Sequence, residues 1–172
     1  MGSYDIRPVE ASDIEQISAA HTAIWKMTYP GMVDQDRLDA LTSAEAALRW
    51  RETVGDFADH AVRGVRLRCA TCTATQEMVG FATSGPGRDR DAPAPTELWS
   101  LNVVPRHHGS GVALDLMISV LGVIGVPAYL WVARDNARAV AFYRKHGFEL
   151  DGATRRDPDW DCREERMTAT RA

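Results

Sequence analysis

The residues with the most pointed chemistry lie between Leu98 and Ala113, where the chain reads L-W-S-L-N-V-V-P-R-H-H-G-S-G-V-A. An apolar, strand-like run stops at Pro105, since proline cannot continue a central ladder, and a glycine-bearing turn then runs straight into helical spacing. Such a turn can hold an anion. The amides of the turn and of the first helical turn have no intrahelical partner, they converge on one spot, and the helix dipole adds positive character there. Gly109 and Gly111 would let the backbone come close to a pyrophosphate. The glycines alone are equally well read as a tight strand-to-helix turn that needs them for φ.

A second block, N-A-R-A-V-A-F-Y-R-K-H-G-F-E-L-D-G from Asn136 to Gly152, has its own order. Asn136 is a helix N-cap, Phe142 and Tyr143 fall late in that helix, and Gly147 suits the C′ position because it accepts positive φ. The helix then exits through Phe148 into a strand.

The elements that must carry these blocks follow from periodicity. Tyr4 to Pro8 is a short first strand, and Ser12-x-x-Glu15 supplies a capping box for a helix with Ile14, Ile17, Ile24 and Trp25 at helical spacing. Pro30-Gly31 ends that helix. Thr42-x-x-Glu45 begins another, carrying Ala47, Leu48, Trp50 and Val54, and between the two lies a broken acidic segment with Asp34, Asp36 and Asp39. Residues 62–84 form two strands broken at Thr73 to Gln76, an antiparallel hairpin. Gly85 to Pro95 is a mobile loop, Glu97 to Val104 a strand, Val112 to Val123 a helix with Ala113, Leu116, Met117 and Val120 on one face, and Pro127 to Ala133 a strand. Two further strands lie near Phe148 and at Glu165 to Thr168. The expected order is strand, two helices, three strands, helix, strand, helix, two strands, with no internal repeat and no domain boundary over residues 1–172.

In this order and at this spacing, the two blocks resemble the GNAT superfamily of acetyl-CoA-dependent N-acetyltransferases, and the likeness in element order extends over nearly the whole chain. The resemblance implies an α/β (α+β) fold with a mixed, mostly antiparallel sheet of about seven strands, flanked by helices and splayed at its centre to admit the pantetheine arm. The family's turn carries Gln or Arg, two residues, Gly, one residue, then Gly or Ala. Gly109, Ser110, Gly111, Val112 and Ala113 match it, while His108 stands where Gln or Arg is usual. Backbone amides do most of the pyrophosphate binding in such a cradle, so that departure touches one side-chain contact only. The resemblance further implies that Asn102, Val103 and Val104 line the cofactor's arm, with backbone contacts from Val104, and that Asn136 also contacts it.

The reaction so implied needs an acceptor amine made neutral before attack and a proton for the departing thiolate. By resemblance, Tyr143 is the general acid and Glu97 the carboxylate that draws the proton away through water. With period two, Glu97, Trp99, Leu101 and Val103 share a face, and burial there is expected to raise the Glu97 carboxyl toward a useful base. Among the five histidines His21, near Trp25, is the rival base; His107 and His108 belong to the turn, and His60 and His146 read as surface residues. The acceptor walls of the family bring in Trp25, Tyr29, Asp34, Asp36 and Asp39 from the segment between the first helices, and R-R-D-P-D-W-D-C with Asp157, Asp159, Trp160 and Asp161 from the last hairpin. Carboxylates beside Trp and Tyr suit a small cationic amine, such as a polyamine or an amine-bearing antibiotic, which makes antibiotic resistance an expected role. Protein N-termini or lysines, or a CoA-binding sensor without efficient transfer, are the alternatives. Relatives often pair as dimers through late strands, so a homodimer is expected.

Composition narrows the class. The net charge of −4 argues against nucleic acid as a bulk electrostatic partner, which calls for excess Lys and Arg. No apolar run is long enough to span a bilayer and the first residues lack the pattern of a signal peptide, so a cytoplasmic protein without a membrane partner is expected. The cysteines number three, which suits reduced thiols. Cys69 and Cys72 lie three apart on a strand and so face opposite ways, and no second pair completes a metal site. A nucleotide-binding α/β domain would want its glycine motif directly after the first strand, where this chain has none.

Overall fold

The computed structural model describes residues 3–56, 61–122 and 126–169. His60 lies outside them. In chain order the elements are β1 (Tyr4–Pro8), a 3-10 turn (Ala11–Asp13), α1 (Ile14–Thr28), α2 (Gln35–Ala40), α3 (Ser43–Gly55), β2 (Arg66–Cys72), β3 (Met78–Pro86), β4 (Thr96–Val103), a 3-10 turn (Pro105–His107), α4 (Val112–Leu121), β5 (Ala128–Ala133), α5 (Ala137–Lys145), β6 (Glu149–Arg156) and β7 (Arg163–Ala169). The seven strands form one sheet in the order β1-β2-β3-β4-β5-β7-β6. Every neighbouring pair is antiparallel except β4 and β5, which run parallel.

Local sequence accounts for most of these starts and stops. Thr42 and Glu45 form the reciprocal box expected at α3, each accepting from the other's backbone N–H at 3.2 Å. Asn136 accepts from the Ala139 N–H at 3.1 Å and caps α5, and Gly147 takes φ +88° just past its end. The start of α1 differs from expectation. Asp13, not Ser12, does the capping, accepting the Glu10 N–H at 2.8 Å while pairing with Arg7 of β1 at 2.7 Å. That half-buried ion pair fixes the corner between strand and helix, so the box forms at 10–13 and a 3-10 turn precedes α1. The acidic segment also holds an unexpected short helix, α2, because Asp34 caps it through the Arg37 N–H.

Two cores sandwich the sheet. On one face α4 lays Val112, Leu116, Met117 and Val120 against Leu98, Leu130 and Met167. Each such fully buried side chain contributes about 1.5–3 kcal/mol. On the other face Ile17 and Ile24 of α1 and Trp50 of α3 meet Leu67 and Phe81. Leu48 does not join them and is 60% exposed, since it follows Ala46 and Ala47, which take the inward positions. Cys69 sits in the second core and Cys72 in the first, as alternation requires.

The β4–β5 ladder is short. It pairs Thr96, Glu97 and Leu98 with Ala128, Tyr129 and Leu130 and then stops. Beyond it the strands diverge, and the β5 side of β4 from Trp99 to Val103 has no strand partner. Against β3, Thr83 pairs with Ser100 and Ser84 with Leu98, so Trp99 is an extra residue and β4 bulges there.

Candidate active site

The bulge reorders the faces of β4. Ser100 and Asn102 pair with Thr83 and Phe81, and Phe81 belongs to the α1 core, whereas Leu98, Leu101 and Val103 pack with α4. The expected face of Glu97, Trp99, Leu101 and Val103 is therefore split: the first two lie on the α1 face and the last two on the α4 face. One extra residue reverses every side chain beyond it.

A cavity of about 330 Å³ occupies the gap between β4 and β5. At one end it meets His108, Gly109 and Ala113 of the glycine turn; along its walls run Asn102, Val103, Asn136 and Tyr143; at the other end stand Trp25, Tyr29, Asp157, Trp160 and Glu164. The structure thus brings three separated sequence blocks onto one space.

At the turn, Gly109 and Gly111 have φ of +78° and +97°, with no atom within 4 Å of where a Cβ would lie. Both the conformation and the open space suit a backbone approached by a phosphate group. Ser110 and Val112 complete the turn; the Val112 side chain is buried in the α4 core while its N–H has only the Ser110 hydroxyl, at 3.4 Å. His108 is held by the Val103 carbonyl at 2.9 Å, and Arg138, at the start of α5, reaches its ring at 2.6 Å and 2.9 Å. That places a guanidinium beside the turn that lacks the usual Gln or Arg, a contact that spacing alone gave no reason to expect. The Val104 N–H donates to the Val79 carbonyl and its own carbonyl accepts the His107 N–H, which leaves that carbonyl one further acceptor position.

Tyr143 projects from α5 into the cavity wall. Burial, with the Tyr29 hydroxyl as a further influence, holds its phenol protonated far above the usual range, and no hydrogen bond offsets this. Such a group stays a proton donor at neutral pH. Tyr29 itself is pushed up to about 12, chiefly by burial. The Trp99 indole N–H, in the same cavity lining, is buried without a partner.

Glu97 is 1% exposed but does not line the cavity. Its Oε2 accepts from the Arg88 backbone N–H, Arg88 Nε and the Tyr129 hydroxyl, each at 3.0 Å, and its Oε1 from Arg88 Nη2 at 2.5 Å. Burial opposes ionisation here, but the guanidinium and these donors outweigh it and hold the carboxyl below its ordinary range. The expected upward shift is thereby corrected. The same contacts pin the 87–95 segment, read from sequence as mobile: Asp89 accepts from the Trp131 indole at 3.0 Å and meets Arg166 at 3.1 Å, and Asp91 meets Arg166 at 3.3 Å.

At the far end, Trp25 lies 4.6 Å from Tyr29 and 4.4 Å from Trp160, centroid to centroid. The Asp34 N–H donates to the Trp160 carbonyl at 2.9 Å, tying the two walls together. Of the expected carboxylates Asp157 is the one that lines the cavity, accepting the N–H groups of Asp159 and Trp160 at 2.9 Å and 2.8 Å, while Asp159 is exposed. Asp34 caps α2, Asp39 bonds Gln35, and Asp161 pairs with Arg156, so none of them turns inward. Glu164 of β7 does, although alternation on an edge-paired strand gave no signal for it. His21 stands apart from the cavity, boxed by Trp25, Trp50 and Phe81, and burial lowers it to about 4. Among the described residues no cluster of His, Cys, Asp or Glu could hold a metal ion, and no helix is long and apolar enough to cross a membrane.

A sheet opened between two parallel strands, an amide-lined helix start at the mouth and a protonated tyrosine at the bend describe an acyltransferase that takes its acyl group from a CoA thioester. Comparison with known proteins agrees. Residues 31–148 match the model of the acetyltransferase (GNAT) family. The chain is 27% identical to a Mycobacterium tuberculosis protein described as an uncharacterized N-acetyltransferase, over 82% of this chain and 86% of that one. It is 31% identical to phosphinothricin N-acetyltransferase of Streptomyces coelicolor over 52% of this chain and 55% of that one. The PaiA N-acetyltransferase of Thermoplasma acidophilum, solved with coenzyme A, superposes with a TM-score of 0.70 at 20% identity, covering 98% of this chain and 99% of that one. The chain belongs to the GNAT family and is an acetyl-CoA-dependent N-acetyltransferase.

Proposed function

We propose that the acceptor is a small cationic amine, a polyamine or an amine-bearing antibiotic, bound at the aromatic end of the cavity. The observation that carries this is the composition of that end: Trp25 in contact with both Tyr29 and Trp160, with the carboxylates Asp157 and Glu164 facing the same space. Aromatic faces and carboxylates attract a cation through ring quadrupole and charge. The bond from the Asp34 N–H to the Trp160 carbonyl ties the two walls of this end together, which favours a small acceptor over a protein N-terminus or a lysine on a folded surface. A protonated Tyr143 in the wall favours transfer over mere CoA sensing.

In this reading the helix start at α4 and the turn at Gly109–Gly111 hold the pyrophosphate, and acetyl-CoA supplies the acetyl group. Tyr143 gives its phenolic proton to the departing thiolate and regains one that the nitrogen sheds on becoming an amide. The test is thiol release across an amine panel at low and high salt. Cationic amines should be preferred, with KM rising with ionic strength as attraction is screened, and Asp157→Asn should raise KM. A preference for acidic amines, or a KM indifferent to salt, overturns the proposal.

A further inference from the structure

We infer that Glu164 is the carboxylate that holds the acceptor's ammonium group and takes its proton; this deepens the reading of a cationic acceptor and rests on it. The reaction needs a proton acceptor within the cavity, and the described residues offer few. Glu97 lies outside it with both oxygens engaged by Arg88, and His21 stands outside it among aromatic rings, its Nδ1 taken by the Trp50 indole N–H at 3.2 Å. Asp157 lines it, but its Oδ1 is already taken by two backbone N–H groups.

Glu164 lines the cavity and has only Oε2 engaged, by a side chain and not by backbone. It pairs with Ala133 at the end of β5, on the face shared with Arg166 and opposite Met167, which is buried with α4. Its side chain is 18% exposed, it lines the same cavity as Tyr143, and its one ion pair is from Oε2 to Arg155 Nε at 2.6 Å. The groups that face it are Arg155 of β6, Asp157 and Cys162 of the last turn, Tyr29 of α1 and, farther off, Arg88 of the β3–β4 loop. Burial raises its carboxyl, Asp157 adds to the rise, and Arg155 and Arg88 oppose it. The net direction brings it closer to neutrality, where a base works best.

The step balances. Glu164 accepts one proton from the acceptor's ammonium and passes it to solvent. The freed nitrogen then bonds to the acetyl carbonyl carbon as the carbon–sulfur bond breaks, and Tyr143 serves the sulfur as above.

The test uses the whole chain with spermidine as the amine. Glu164→Gln is expected to lower kcat by ~100-fold or more and to abolish the acid limb of the kcat profile, with acetyl-CoA affinity by calorimetry unchanged. Glu164→Asp should restore part of the rate. Arg155→Ala should move the acid limb to higher pH, because Arg155 holds the carboxyl down; a purely structural pair would leave the limb where it was. An unchanged kcat and pH profile in Glu164→Gln overturns the assignment. If the wild type transfers to no cationic amine, the acceptor reading fails by itself. The Glu164 assignment is then judged by titrating spermidine into the CoA-loaded protein, where weaker binding to Glu164→Gln supports it and equal or absent binding overturns it.

Discussion

Replacing Arg88 by methionine separates the two roles open to Glu97. The carboxylate is 1% exposed while the Arg88 side chain is 55% exposed, so the pair is buried on one side only. Removing one partner of a buried, hydrogen-bonded charge pair costs about 2–5 kcal/mol. Water can reach the Arg88 side, and the Arg88 N–H and Tyr129 hydroxyl would remain as donors, which puts this case near ~2 kcal/mol. In a chain of this length that is a fall in Tm of roughly 4–8 °C at pH 7. The pH dependence has a definite sign. In the wild type the depressed carboxyl contributes stability that is present above the ordinary carboxylate range and lost as pH falls through its lowered folded-state value. Without the guanidinium, burial is opposed only by the two remaining donors and the carboxyl rises from its wild-type value, so the deficit is largest at pH 7 and shrinks toward pH 5. Thermal melts at both values, beside thiol-release assays of Glu97→Gln, give the readout. Glu97→Gln should lower Tm yet leave the turnover of folded protein far above the ~100-fold loss of a missing base. An unchanged Tm with turnover down ~100-fold would return the base to Glu97 and remove it from Glu164.

Two further outcomes test the other end and the bend of the cavity. Gly111→Val forces a β-branched residue to φ +97° and should weaken acetyl-CoA binding at least ~10-fold by calorimetry, with strain of about 1–3 kcal/mol in the melt; unchanged affinity in a folded variant would move the pyrophosphate elsewhere. Tyr143→Phe should lower kcat ~100-fold or more with acetyl-CoA affinity intact, since the lost proton matters at the transition state; near wild-type turnover would remove Tyr143 as the acid.

The elements were legible because their signals are local. Thr42 with Glu45, Asn136 with Ala139 and Gly147 at positive φ all act within a few residues, and the two sequence blocks lie at the glycine turn and along the cavity wall. What stayed hidden depends on geometry that spacing does not carry. Arg138 reaches His108 from thirty residues away, and although Arg88 and Glu97, like Arg155 and Glu164, lie only nine residues apart, their pairing depends on how a loop folds back and on hairpin register. The acidic acceptor wall shows the same limit at short range. Composition announced carboxylates near Trp160, but only the fold of the 157–160 turn decides that Asp157 faces inward while Asp159 lends it a backbone N–H.

The bulge at Trp99 and the short β4–β5 ladder have to be taken together. Tyr143 is buried on the α4 face of the sheet, and Glu164 stands on the opposite face beside Arg166. A continuous sheet would keep a proton donor and a proton acceptor so placed apart, with a full layer of backbone between them. Pairing that ends at Leu98 and Leu130 removes that layer where both side chains arrive, and one cavity touches both. The bulge then decides what lies along the opening: past Trp99 it turns Ser100 and Asn102 toward the α1 face and keeps Leu101 and Val103 against α4. Proton removal and proton delivery can therefore be tuned by different surroundings, carboxylate and guanidinium charge on one face and apolar burial on the other. Burial raises both groups in this single cavity, but only at Glu164 does a hydrogen-bonded guanidinium oppose it.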